Sequence, residues 1–251
     1  MKKRIRFVAD LLWLLCFALY FISSAVLEIG TNETLYCELQ TRAGLPESAG
    51  ISAEALEKLD VHLASCLRGR EDWNVEWLNP EGGPLRVVVD GVEQDAFNAR
   101  EIAHMEDCQR LFGLLRTLRL GLAIAAVLLL PLIMISEWKE KPARAGSVAP
   151  VWITSLILIV PLALFGIWAA VDFGSAFTFF HHLLFTNDLW LLDPATDLLI
   201  RICPSSMFAN MGLRIALRAV AVLLGVPLLI TILKWISNRV RKRKANETVE
   251  L

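Results

Sequence analysis

The sequence predicts a mainly α membrane protein: four transmembrane helices with a small extracytoplasmic α/β cap. Three observations lead there. Of 251 residues, 55% are hydrophobic and 20% charged, with a mean hydropathy of +0.52, too apolar for a chain whose whole surface meets water. Four apolar runs, at about 7–27, 114–135, 151–171 and 213–236, have the roughly 20-residue length that crosses a bilayer. Lys and Arg gather on alternate flanks of those runs, as they do at cytoplasmic ends.

Residues 1–27 hold a basic start (Lys2, Lys3, Arg4, Arg6) and the first span. Ser23-Ser24-Ala25 loosely fits a signal-peptide cleavage site. The apolar run exceeds a usual signal core, so a retained anchor is expected. Residues 28–113 form the cap, 114–136 the second span, and 137–150 a loop carrying Lys139, Lys141 and Arg144. The third span is 151–171, and 172–212 is an extracytoplasmic apolar loop. The fourth span, 213–236, leads to a basic tail, 237–251, with Arg239, Arg241, Lys242, Arg243 and Lys244. The basic flanks place both termini and the 137–150 loop in the cytoplasm, and so put 28–113 and 172–212 outside together. A cell membrane, crossed several times, is the expected location.

Within the cap, Ser52 followed by AEALEKLDVHLASCL reads as an N-capped amphipathic helix with Leu56, Leu59, Leu63 and Leu67 near one face. His62, in mid-helix, is expected at the surface. Gly82-Gly83-Pro84 predicts a turn, and Asp90-Gly91 after Leu85-Arg86-Val87-Val88-Val89 predicts a hairpin. Asn98 with Glu101 three residues on is a helix-starting pair. Nothing breaks the chain from there to Gly113, so His104 should ride on a stiff helix that continues into the second span. In the outer loop, 195–202 is expected to form one short helix ending before Pro204.

Net charge is −1, with basic cytoplasmic ends and an acidic cap, and nothing suggests a nucleic-acid partner. The five cysteines include no C-x-x-C pair. Cys37, Cys66, Cys108 and Cys203 fall outside, where a disulfide is chemically permitted. The sequence has no H-E-x-x-H, no G-x-S-x-G and no glycine-rich phosphate loop. Arg116, Arg119, Arg214 and Arg218, at outer span ends, are expected to reach for lipid headgroups.

Three of the four histidines, His104, His181 and His182, lie just outside span ends on one side of the membrane. Imidazole exchanges protons near neutral pH, so two distant segments bringing it to the same side points to acid–base chemistry. Asp107, Asp188, Asp193 and Asp197 are candidates to orient the rings, and Trp190 to line a pocket. A rival reading is a metal-dependent membrane hydrolase built on His104, His181, His182 and an aspartate. A second is a non-enzymatic membrane interaction protein with structural or pH-sensing histidines.

The segments FNAREIAHMED (97–107) and FHHLLFTNDLWLLDPATDLLI (180–200), followed by Pro204 and Phe208, resemble the bacterial four-span membrane family of the lipoprotein intramolecular transacylase Lit. The resemblance covers the whole chain in topology. It implies four transmembrane helices under an extracytoplasmic cap, with catalytic His104 and His181 and with Asp107, Phe180, Asn187, Trp190 and Asp193 in supporting or substrate-binding places. It also implies transfer of the sn-2 acyl chain of a diacylated lipoprotein to its N-terminal cysteine amine, giving the lyso form, with membrane lipids as surroundings and no cofactor or metal. Cys108 stands where the family pattern expects an apolar residue, and the cap is only loosely similar.

Overall fold

The computed structural model describes residues 2–70, 85–138 and 148–247. The turn expected at Gly82-Gly83-Pro84 and the basic residues Lys139, Lys141 and Arg144 lie outside them. In chain order the elements are α1 (Lys2–Gly30), α2 (Glu33–Arg42), α3 (Leu45–Ser48), α4 (Ala53–Leu67), β1 (Arg86–Val89) and β2 (Val92–Asp95). There follow α5 (Ala99–Trp138), α6 (Ala149–Val171), α7 (Phe173–Leu184), α8 (Leu198–Ile202) and α9 (Ser205–Glu247).

Four helices among the described residues contain stretches long and apolar enough to cross a membrane: Phe7–Gly30, Ala99–Leu130, Ala149–Val171 and Ser205–Val240. Large side chains such as Leu114, Ile124, Leu128, Leu164, Leu213 and Leu229 stand exposed along them. A soluble protein rarely leaves such a surface in water, whereas lipid accepts it. The chain is a multi-pass membrane protein.

Contacts divide the chain into two compact units. The first comprises Met1–Ser23, Leu118–Leu164 and Ala216–Leu251. Its buried positions include small residues, Ala18, Thr154, Ser155 and Ala219, of the kind that lets helices approach closely without large side chains between them. Pro161 and Pro227 sit inside α6 and α9. Near Pro227 the polar groups find each other: the Thr231 hydroxyl donates to the Pro227 carbonyl at 2.7 Å and accepts from the Trp152 indole at 3.2 Å.

The second unit comprises Ser24–Thr117 and Phe165–Ile215. Its core joins Leu56, Leu59 and Leu63 of α4 to Leu35, Tyr36 and Leu39 of α2, Val87 and Val89 of β1, Leu198, Leu199 and Ile202 of α8, and Met207 of α9. The local signals form as expected. The Ser52 hydroxyl caps α4 by accepting from Ala55 N–H at 3.2 Å. Strands β1 and β2 pair antiparallel with Val89 opposite Val92. The turn between them has positive φ at Asp90 (52°) and Gly91 (83°), the two left-handed residues that a tight hairpin turn requires.

Four expectations change. His62 is buried, 1% exposed, with its ring nitrogen 3.5 Å from Cys66 Sγ, because α4 is covered on more than its leucine face. Arg116 and Arg214 find protein partners: Arg116 donates to the Leu67 carbonyl at 2.6 Å and Arg214 to Glu38 at 3.3 Å. With Gln109 donating to the Cys66 carbonyl at 2.8 Å, which also accepts from Gly69 N–H at 2.8 Å, side chains of α5 bond carbonyls in the last turn of α4. The apolar stretch after the third span is also more helical than a loop. Asp172 accepts from Ser175 N–H at 3.0 Å and starts α7. By contrast, 195–202 is helical only from Leu198, and α9 already begins at Ser205.

A buried polar pair links distant parts of this unit. The Gln40 amide donates to Asp60 Oδ1 and to the Ile202 carbonyl, each at 2.9 Å. Burial pushes the Asp60 carboxyl up to about 7, against the lowering effect of the Gln40 hydrogen bond. The folded unit therefore holds the Asp60 proton more tightly than the unfolded chain does. That stabilisation is full below the ordinary carboxylate range, around pH 4, and is lost as pH rises through about 7. Thermal melts in detergent should show stability falling between pH 5 and pH 8. Asp60→Asn should flatten that slope, and an unchanged slope in the variant would assign it to other groups.

Candidate active site

The site lies in the second unit, where the first turns of α5 meet α7 and the segment that follows it. Asn98 and Glu101 build the start of α5 reciprocally. Glu101 Oε2 accepts from Asn98 N–H at 2.7 Å, and Asn98 Oδ1 accepts from Glu101 N–H at 3.1 Å. The other Glu101 oxygen accepts from Leu199 N–H at 2.6 Å at the start of α8. One buried carboxylate, 1% exposed, thus serves two helix starts.

Further ties hold residues 187–197 against the same helix. Arg100 donates to the Asp188 carbonyl at 2.7 Å, Asn187 to Asp107 at 2.8 Å, and Asn98 to Asp197 at 2.8 Å. Burial works against ionisation of Asp197. The Asp193 N–H, the Thr196 hydroxyl and the Asn98 amide outweigh it and hold the carboxyl below the usual range.

His104 follows Glu101 by three residues, so it emerges one turn on along the same face. His181 comes from the last turn of α7. Their ring centres are 6.2 Å apart, and the two residues are 7% and 8% exposed. Aromatic side chains enclose them. Phe185 lies 5.2 Å from His104 and 5.7 Å from His181; Phe177 and Trp190 lie 4.0 Å and 4.8 Å from His181. Phe180 meets His181 edge-on at 5.7 Å. The neighbouring His182 is exposed, its ring edge-on to Trp190 at 5.1 Å.

The ring nitrogens are held differently. His181 Nδ1 lies 2.7 Å from the carbonyl of Phe177, one turn earlier in α7. A carbonyl only accepts, so Nδ1 carries the hydrogen and donates it, leaving Nε2 with a lone pair. His104 Nε2 lies 3.7 Å from Cys108 Sγ, while its Nδ1 is buried with no partner among the described residues. For His181, burial disfavours the charged ring. The Phe177 bond works against that, the His182 charge adds to it, and the net effect is a ring held below the ordinary imidazole range.

Of the residues named from the sequence, His104, His181, Trp190 and Phe180 come together. Asp107 and Asn187 bond to each other, and Asp107 also pairs with Arg110 rather than with an imidazole. Asp193 is exposed and braces its own turn, accepting from Ala195 N–H at 2.9 Å. The sequence reading missed Phe177, Phe185, Cys108 and the double duty of Glu101. For Glu101 the capping pattern was a signal; for the others, helical spacing of four residues from each histidine was the only one. Among the described residues no group of three or more His, Cys, Asp or Glu is placed to hold a metal ion.

The family model of the lipoprotein intramolecular transacylase Lit matches residues 11–208. Among solved structures, the chain is similar to the membrane integral lipoprotein intramolecular transacylase Lit from Bacillus cereus. The TM-score is 0.72 at 18% identity, covering 94% of this chain and 99% of that one. Two variants of that protein, with a histidine replaced by arginine or by alanine, match with TM-scores of 0.66 and 0.65, each at 17% identity. They cover 96% of this chain and 95% and 96% of theirs. At such identity the likeness speaks for the fold. No curated protein matches the chain.

Proposed function

We propose that this chain, which belongs to the Lit family of lipoprotein intramolecular transacylases, moves the sn-2 acyl chain of a diacylated lipoprotein onto the amine of that lipoprotein's N-terminal cysteine. The observation that carries the reading is the pair of buried imidazoles, 6.2 Å apart, inside an aromatic enclosure. The basic flanks of the spans support a site on the outer face of a bacterial cell membrane.

In this reading His181 is the base. Its Nε2 lone pair removes a proton from the substrate amine as nitrogen attacks the sn-2 ester carbonyl carbon. The new C–N bond forms, the ester C–O bond breaks, and the proton passes from His181 to the departing glycerol oxygen. Amide and lyso-glyceryl product together account for every atom. His104 turns its unpartnered Nδ1 to the carbonyl oxygen; a Cys108 thiol donating to Nε2 leaves Nδ1 with the hydrogen this requires. Because amine and ester belong to one molecule, holding them in line can supply about 7 to 11 kcal/mol of the barrier. The phenylalanines keep water from competing for the ester.

The test is purified protein with a diacylated lipoprotein substrate, followed by mass spectrometry of the N-terminal peptide. A lyso-form product of unchanged mass whose amine is now acylated is expected; no conversion rejects the function. Since His181 is held neutral at pH 7, the rise in rate between pH 6.5 and 8 should follow the substrate's α-amine, which ordinarily titrates near 8. Mass-resolved rates across that range check this.

A further inference from the structure

Four buried side-chain polar atoms lack a hydrogen-bond partner among the described residues: Gln40 Oε1, Asp60 Oδ2, His104 Nδ1 and Trp190 Nε1. The first two belong to the polar pair in the cap core. The other two are ring nitrogens of residues whose ring centres lie 6.2 Å and 4.8 Å from that of His181. An indole N–H left unpaired in the interior costs stability, and proteins keep such groups chiefly where something else uses them.

We infer that the Trp190 indole N–H is a second donor to the substrate's ester carbonyl oxygen, acting beside His104. Trp190 is 7% exposed, with its ring centre 4.8 Å from that of His181, which sets a buried, unpartnered N–H donor on the ring packed beside the proposed base. Its position is built by its neighbours. Asn187 Oδ1 accepts from Leu189 N–H at 3.2 Å, Leu191 N–H donates to the Asp188 carbonyl at 3.2 Å, and Leu192 N–H donates to the Trp190 carbonyl at 3.0 Å. Arg100 and Asp107 on α5 hold the same turn. An indole N–H donates and does not accept, so its ligand atom is an acceptor. In the lipid of the proposed reaction, the acceptor that gains negative charge is the carbonyl oxygen, and a donor aimed there acts most strongly in the transition state.

This inference rests on the proposed acyl transfer, and its test separates the two. Trp190→Phe keeps an aromatic ring and removes the N–H. β-(3-Benzothienyl)alanine at position 190 keeps the bicyclic shape and replaces the N–H with sulfur. Both should lower kcat roughly 10²-fold, the usual loss for one oxyanion donor, with KM within about twofold. Parent-like kcat in the benzothienyl protein overturns the inference and leaves the acyl transfer standing.

A second measurement needs no turnover. With indole ¹⁵N labelling, the Trp190 resonance, assigned by its loss in Trp190→Phe, should move downfield on adding a diacylglyceryl peptide whose amine is acetylated. A resonance unmoved at saturating peptide also overturns the inference. Absence of conversion by the parent protein would reject the acyl transfer, and the resonance would still decide whether the indole binds the ester.

Discussion

Replacing either buried imidazole should nearly abolish acyl transfer: His181→Ala and His104→Ala are each expected to lower the rate by roughly 10² to 10⁴-fold, the usual range for a positioned acid or base. The two losses should not multiply. In the proposed cycle His181 moves the proton while His104 steadies the oxygen of the same intermediate, so removing one leaves the other with little to act on. The double variant should be about as slow as the slower single one. Near-parental conversion by His181→Ala, in protein that elutes and melts like the parent, would remove the base assigned here. Multiplicative losses would mean that the rings act in separate steps.

Glu101→Ala should be the most destabilising single change near the site. Its two oxygens accept from the backbone N–H groups of Asn98 and Leu199, and the side chain is almost fully buried. Alanine leaves both donors unpaired in the interior and opens a cavity, at a cost of roughly 2 to 5 kcal/mol. Glu101→Gln is no conservative rescue. An amide has one carbonyl oxygen for two N–H groups and turns an NH₂ toward the other. Melting in detergent should rank parent, Gln and Ala in falling order. A Gln variant as stable as the parent would show that one of the two bonds contributes little.

What the sequence made legible was what short range decides. Ser52, the Asp90-Gly91 turn, the Asn98–Glu101 pair and the four apolar runs depend on residues within a few positions of each other, and each forms as read. The pairing of His104 with His181 was legible through two motifs and the common membrane side that the basic flanks predict for them. What orients the rings was not. Asp107 looked suited to hold an imidazole, but its oxygens go to Asn187, 80 residues away, and to Arg110. His181 instead uses a backbone carbonyl, which every residue possesses and which therefore leaves no mark in a sequence. His62 failed for a related reason: a helix's second buried face is set by segments far along the chain.

The ties between α5 and residues 187–199 carry a practical consequence. Asn98, Arg100, Glu101, His104, Asp107 and Cys108 all precede the connection between α5 and α6, whereas His181, Phe185, Asn187, Trp190, Asp197 and Leu199 all follow it. A polypeptide severed in that connection would yield two pieces, each with half the site and none of the other half. Co-expressed, the pieces should reassemble and recover acyl transfer, while either alone stays inert. A split version of this protein would then report, by its activity, whether two membrane-inserted fragments have met.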